Sequence, residues 1–212
     1  MVSHAVSMDG QHAFPAWSIL SSAPIADSGE FIRAFLEVRE DDSWLLLTST
    51  AVAGERQLWA AWLALQQRSK NDSMRSVGQD GEFLRLIAGT HHISLGFRRA
   101  GLCDGDEGAW LVHLPPSQGV DELPVLDIEA LEQQAQQLAD KCGFTLTRER
   151  PLPTAAGLVR LGVFAEDDRV LAELIGKGAT DSSDENIDGG SLGNGLLEDF
   201  FIGHIHTSDI HG

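Results

Sequence analysis

The chain has 212 residues, 42% of them apolar, which is long enough to bury one sizeable hydrophobic core. Its formal charge of −17 opposes nucleic-acid binding over the whole surface, because phosphate groups are repelled at long range. Cys103 and Cys142 form neither a CxxC motif nor a disulfide framework. There is no apolar run of transmembrane length and no signal-peptide pattern, so we expect a cytoplasmic protein without membrane contact.

The predicted elements alternate between short strands and amphipathic helices. The continuous apolar run from Trp44 to Thr48 is typical of a buried strand, and Asp27 and Asp127 stand where helix caps are expected. The pattern favours an α+β fold, a single compact domain with helices packed on a small, mostly antiparallel sheet. Strands are predicted over residues 14–20, 44–48, 109–114 and 144–147, and helices over residues 28–40, 54–69, 127–143, 154–161 and 167–175.

The central stretch, residues 82–101, reads EFLRLIAGTHHISLGFRRAG and predicts two short helices joined at a corner. Gly89 is suited to the left-handed conformation that ends a helix, and Thr90 to accepting a backbone N–H at the start of the next. The apolar positions follow the helical period, and Gly101 is placed to end the second helix. The corner is therefore predicted to be apolar beneath and basic or imidazole-rich on its outer side.

From residue 176 onward the composition changes. The tail to residue 212 holds seven acidic residues against one Lys, and its first half has almost nothing to bury. We expect a loose leader over residues 1–13, the α+β domain over residues 14–175, and a flexible acidic extension over residues 176–212. An apolar patch at residues 196–202 is suited to docking back onto the body or onto a partner.

Most enzyme signatures are absent from the sequence, which contains no GxGxxG, P-loop, GxSxG or HExxH motif. The best metal-site candidate is the tail, where three imidazoles and a carboxylate lie close together and an HxH pair on an extended strand would point both rings to one side. The sequence thus leaves open a metal-dependent hydrolase using His204, His206, Asp209 and His211. Adventitious metal binding is the alternative, because a catalytic site needs a rigid surrounding shell.

Residues 68–99 carry a local excess of positive charge. This window contains six basic residues and three acidic ones, so its formal charge is +3, whereas that of the whole chain is −17. This window predicts a confined anion site, such as one for a short segment of phosphate backbone. The alternative is that these are ordinary arginines exposed on helix faces.

The central stretch resembles the PRPK-binding (TPRKB-like) family, the kinase-associated regulatory subunits of the KEOPS/EKC complex. The family pattern is an apolar helix, then Gly-Thr-Arg-Gln-Ile, then a helix ending in Gly. Gly89, Thr90 and Ile93 match that pattern, whereas His91 and His92 replace its Arg and Gln. The preceding segment AVAGERQLWAAWLAL, residues 51–65, is also similar to the family's. The resemblance covers roughly residues 14–175 and does not include the acidic tail.

The resemblance implies a non-catalytic subunit without a cofactor, with the family's compact α+β fold. Such a subunit binds a small atypical kinase/ATPase, contacts other KEOPS subunits indirectly, and helps to recruit the single-stranded 3′ CCA end of tRNA for threonylcarbamoyladenosine modification. The predicted kinase contacts are Leu84, Ile87, Ala88, Ile93 and Phe97. The predicted tRNA contacts are Arg68, Lys70, Arg75, Thr90, His91, His92, Arg98 and Arg99. A regulatory domain for an unrelated partner remains a third hypothesis.

Overall fold

The computed structural model describes residues 13–116, 124–147, 152–165, 168–173 and 189–207. The strands in these ranges are β1 (Ala16–Leu20), β2 (Trp44–Thr48), β3 (Gly108–His113) and β4 (Thr145–Thr147). The helices are α1 (Ser28–Val38), α2 (Glu55–Lys70), α3 (Gln79–Ile87), α4 (Ile93–Ala100), α5 (Ile128–Lys141), α6 (Ala155–Leu161), α7 (residues 169–173) and α8 (Gly189–Thr207). This is the α+β fold that the sequence predicts.

The predicted helix caps are confirmed. The Asp27 carboxylate accepts the Glu30 N–H at 2.8 Å, and the Asp127 carboxylate accepts the Ala130 N–H at 3.1 Å. Each bond satisfies an N–H group that has no partner within its helix. At the other end of α5, Gly143 takes a φ of 75°, a left-handed conformation that glycine adopts without a Cβ clash.

The sheet is antiparallel throughout, with the strand order β2-β3-β1-β4. Helices cover both of its faces, which explains why every residue of β2 is buried. On one face, Trp17, Ile19 and Leu111 join side chains of α1 and α5. On the other face, Leu47 and Val112 join side chains of α2, α3, α6 and α8. The second of these cores is the larger, and it supports the α3–α4 corner.

Residues 189–207, part of the predicted flexible extension, form the helix α8, which packs on the body through its C-terminal half. Phe201 and Ile205 are fully buried in the larger core, with Leu197 and Phe200 beside them. The apolar patch at residues 196–202 thus docks back onto the domain, and the burial of these side chains outweighs the acidic, glycine-rich composition around them. Residues 176–188 and 208–212, the rest of the predicted extension, lie outside the described residues. None of the helices in the described ranges is long and apolar enough to cross a membrane.

Candidate functional site at the α3–α4 corner

The corner between α3 and α4 has the predicted form. Gly89 takes a φ of 56°, and its N–H donates to the Leu86 carbonyl at 3.0 Å. The Thr90 N–H donates back to the Arg85 carbonyl at 3.2 Å, which closes the end of α3. The Thr90 hydroxyl accepts the His92 N–H at 3.2 Å, but the N-cap of α4 is His92 and makes no side-chain capping bond, so Thr90 closes the turn before α4 rather than capping the helix as predicted.

A buried carboxylate lies beneath the corner. Glu82 is fully inaccessible to solvent, and its Oε1 accepts a hydrogen bond from Arg68 Nη1 at 2.8 Å. Arg85, also buried, donates to the same oxygen and, through Nε at 3.2 Å, to Oε2. Two guanidinium groups therefore share one carboxylate in the core, and the opposite charges and hydrogen bonds offset the loss of hydration.

The same carboxylate also binds the connector, which we define as residues 71–78 between α2 and α3. Glu82 Oε2 accepts the backbone N–H groups of Arg75 and Ser76, each at 3.0 Å. On the far side, Arg85 Nη1 donates to the Thr90 carbonyl at 2.7 Å. Glu82 therefore joins the end of α2, the connector and, through Arg85, the corner itself.

The predicted tRNA contacts fall into three groups. Lys70, Arg75, His92 and Arg98 are exposed on the surface; His91 and Arg99 are half-buried; and Arg68 and Thr90 are buried. Burial excludes the last two from direct contact with a large ligand, and the guanidinium of Arg68 is already bonded to Glu82. The prediction failed for them because the spacing of basic residues does not reveal which one finds a buried partner.

The two histidines of the corner lie against each other, with ring centroids 4.0 Å apart and planes inclined by 45°. Arg99 turns inward, and its Nη1 donates to the Ala88 carbonyl at 3.4 Å. Burial lowers the pKa of Arg99 from its ordinary value, and the neighbouring Arg98 lowers it further. The outer side of the corner thus offers imidazole rings and the exposed guanidinium of Arg98.

The predicted kinase contacts are also divided by burial. Ile87 and Ala88 are fully buried in the larger core and present no surface to a partner, which corrects the prediction for these two residues, whereas Leu84, also buried in that core, lines the groove described below. Their periodicity identified the apolar face of α3 correctly, but that face packs on the domain itself. Ile93 and Phe97 lie one turn apart on α4 and are 39% and 48% exposed.

An apolar groove begins at Phe97 and runs between α1, β2 and α3. Its volume is about 140 Å³, and Leu36, on α1, is 45% exposed along it. At one end, Arg39 Nη1 bonds to Asp80 Oδ2 at 2.9 Å. Apolar side chains form most of the wall, among them Ile32, Phe35, Leu36, Leu45, Leu46, Leu84, Phe97 and Leu102. The sequence did not identify this groove, because its walls come from segments far apart in the chain.

Helix α8 also contacts the corner, through His204. His204 Nε2 lies 3.0 Å from the Ala88 carbonyl oxygen and 3.1 Å from that of Leu161. A Cβ added at Gly89 would overlap the His204 ring, so this close approach requires glycine. Burial lowers the pKa of His204, as does the nearby charge of Arg99, although the two carbonyl contacts oppose the shift.

The metal hypothesis receives no support from this geometry. His204 and His206 lie on a helix rather than on an extended strand, so residues two apart point in different directions. His204 faces the Ala88 and Leu161 carbonyls, whereas His206 is exposed. Asp209 and His211 lie outside the described residues. Among the residues that the structure does describe, no group of three or more His, Cys, Asp or Glu side chains is arranged to hold a metal ion.

Comparison of the chain with protein-family models and with curated proteins finds no match. The family resemblance at the corner therefore remains a prediction, and the functional argument depends on the geometry. That geometry places the exposed apolar residues of α4 and the exposed polar residues of the corner within one short segment, residues 91–98.

Proposed function

We propose that this chain is a non-catalytic subunit of a KEOPS-type complex, which binds a small atypical kinase/ATPase and helps to hold the 3′ CCA end of tRNA. The observation that supports this proposal is that the surface around α4 is divided between exposed apolar side chains and exposed polar ones. Ile93 and Phe97 are exposed beside an apolar groove, whereas His92 and Arg98 are exposed next to them on the same short segment. One surface is suited to an apolar protein contact and the other to an anion.

The kinase contact is assigned to the groove rather than to the whole apolar face of α3. When a partner covers apolar side chains that are exposed beside a groove, removing their surface from water favours binding by about 25 cal/mol per Å², before the entropic costs of association. Phe97 is the largest such side chain at the edge of the groove, and aromatic residues often dominate the binding energy of interfaces. It is therefore the anchor through which we expect the kinase to bind.

The RNA contact is assigned to the exposed residues of the connector and the corner. Single-stranded ends are bound by cations on phosphate and by planar side chains on bases. Arg75 and Arg98 supply guanidinium groups, and the adjacent rings of His91 and His92 supply planar surface. The overall charge of −17 disfavours RNA binding on the rest of the surface, and the cations of this window make binding weaken as the salt concentration rises.

Co-purification with the small kinase encoded in the same genome tests the proposal. Size exclusion at high salt should give a one-to-one complex, and Phe97→Asp should separate the two proteins. Leu63→Asp is the matched control, since Leu63 is 50% exposed on α2 and does not line the groove. Separate elution of the folded wild-type proteins would contradict the proposal and favour a regulatory domain for another partner.

A further inference from the structure

We infer that Glu82 is a positioning residue, whose buried carboxylate assembles the RNA-binding surface from two segments of chain, the connector and the α3–α4 corner. The inference rests on the proposed function and specifies how the anion-binding surface is built. Glu82 itself is fully buried and touches no ligand. It acts through the backbone groups and guanidiniums that it binds.

The connector and the start of α4 meet across Gly81. A Cβ added at Gly81 would overlap Ser76 Oγ and lie 3.4 Å from Ile93 Cδ1, so the two segments are neighbours in space. The N–H groups of Arg75 and Ser76 bind Glu82 on one side. This brings the connector backbone at Arg75 and Ser76 near the start of α4, although 15 positions separate Arg75 from Thr90.

The corner is held to the same carboxylate through Arg85. Its Nη1 donates to the Thr90 carbonyl at 2.7 Å while its other nitrogens bond to Glu82. The Arg85 side chain thus connects the Glu82 carboxylate to the backbone that precedes His91 and His92. The connector and the corner are fixed relative to each other before any ligand binds, which lowers the entropy that binding would otherwise lose.

Positioning and simple charge effects predict opposite results for the variant Glu82→Gln. If Glu82 acts only through its charge, its neutralisation removes the carboxylate opposite Arg68 and Arg85 and should strengthen RNA binding. If Glu82 positions the surface, the connector detaches, Arg75 leaves the corner, and binding weakens despite the added positive charge. The sign of the change in RNA affinity therefore distinguishes positioning from a simple charge effect.

The probe is a 5′-labelled single-stranded RNA ending in CCA, titrated by fluorescence anisotropy at several salt concentrations. Asp80→Asn is the matched control, because it raises the net charge equally and neutralises a carboxylate of the same helix whose ion-pair partner is Arg39 rather than Arg68 or Arg85. We expect Glu82→Gln to lose about fivefold in affinity at 0.1 M salt, the contribution of one phosphate contact to a single strand. For Glu82→Gln, the slope of log K against log salt should become less negative by about 0.7, whereas Asp80→Asn should keep the wild-type slope.

Glu82→Asp is a second variant in case Glu82→Gln does not fold. It keeps the charge between Arg68 and Arg85 but withdraws the carboxylate by one carbon–carbon bond, and we expect faster hydrogen exchange at Arg75 and Ser76 together with weaker RNA binding. Wild-type affinity in a folded Glu82 variant would overturn the positioning role while leaving the proposed function intact. If the wild-type protein itself does not bind the RNA, the proposed RNA function fails and the positioning role fails with it.

Discussion

The α3–α4 corner is held from two sides by different kinds of interaction. From inside, Glu82 and Arg85 bind the connector and the Thr90 carbonyl with buried charges and hydrogen bonds. From outside, α8 places His204 against the Ala88 carbonyl and buries two apolar side chains. The inner contacts join segments within about 20 positions of one another, whereas His204 lies 116 positions from Ala88.

Because the inner contacts join nearby segments, we expect them to form with the rest of the domain, and we expect α8 to be separable from it. Helix α8 contains five glycines, each of which weakens a helix by about 1 kcal/mol relative to alanine. Its helical form therefore depends on docking through Phe201 and Ile205. Disruption of the inner contacts should destabilise the whole domain, and disruption of the outer contacts should release α8 alone.

The largest expected effect comes from Glu82→Ala. It leaves the buried guanidinium groups of Arg68 and Arg85 without their shared carboxylate, so we expect a loss of about 3–5 kcal/mol in the free energy of unfolding. Urea denaturation measures this loss, and Asp80→Asn should lose about 1 kcal/mol. Equal losses in the two variants would mean that the inner contacts have no special role.

The next effect comes from Gly89→Ala. Gly143→Ala is the control, because both glycines have a positive φ but only at Gly89 would the new Cβ meet a side chain, the His204 ring. Each variant should lose about 1–2 kcal/mol to backbone strain. Gly89→Ala should also lose the His204 contact, and hydrogen exchange should show α8 unprotected while α3 and α5 stay protected. Retention of protection in α8 would show that His204 is not needed for docking.

A smaller effect is expected from pH. The pKa of His204 is lowered in the folded protein, mainly by burial, so the unfolded chain takes up the proton first as the pH falls. The contribution of the His204 contact to the free energy of unfolding is therefore complete above pH 6.5, the ordinary pKa of histidine. It is lost as the pH falls below 6.5, at no more than about 1.4 kcal/mol per pH unit. His204→Gln should reduce the slope of stability against pH, measured between pH 7.5 and 5 by chemical denaturation.

Two other histidines serve as references for the measurement of stability against pH. His113 also has its pKa lowered, chiefly by burial, so part of the pH dependence should persist in His204→Gln. His206 is exposed on α8, so His206→Gln is the control for a His-to-Gln substitution on the same helix and should leave α8 docked. An unchanged slope in His204→Gln would contradict the outer contact as described.

The smallest effect is expected at Arg56, which bonds to Glu198 and Asp199 at the surface of α8. The Arg56 side chain is 65% exposed, so Arg56→Gln should lose only about 0.2–1 kcal/mol, and the loss should disappear at high salt. This loss is measured by comparing the unfolding free energies of the variant and the wild-type protein at low and at high salt. A large, salt-independent loss would mean that ion pairs rather than Phe201 and Ile205 dock α8.

The sequence predicted the local features and missed the tertiary ones. Asp27, Asp127 and Gly89 were identified because caps and left-handed turns depend on residue types only a few positions apart. Glu82 was not, since its partners at Arg68 and in the connector depend on how α2 packs against α3. The sequence also left open whether the apolar patch at residues 196–202 docks on the domain or on a partner, because an acidic, glycine-rich composition does not reveal that a few apolar side chains find a complementary core.

The central claim, that the corner binds the single-stranded end of tRNA, is tested most directly by comparing two RNAs on the wild-type protein. One is a single strand ending in CCA, and the other is the same strand without those three nucleotides. The account predicts saturable binding of the first, with a slope of log K against log salt of about −2 for the exposed cations Lys70, Arg75 and Arg98, and much weaker binding of the second. Equal binding of the two RNAs, or no saturable binding of either, would contradict it.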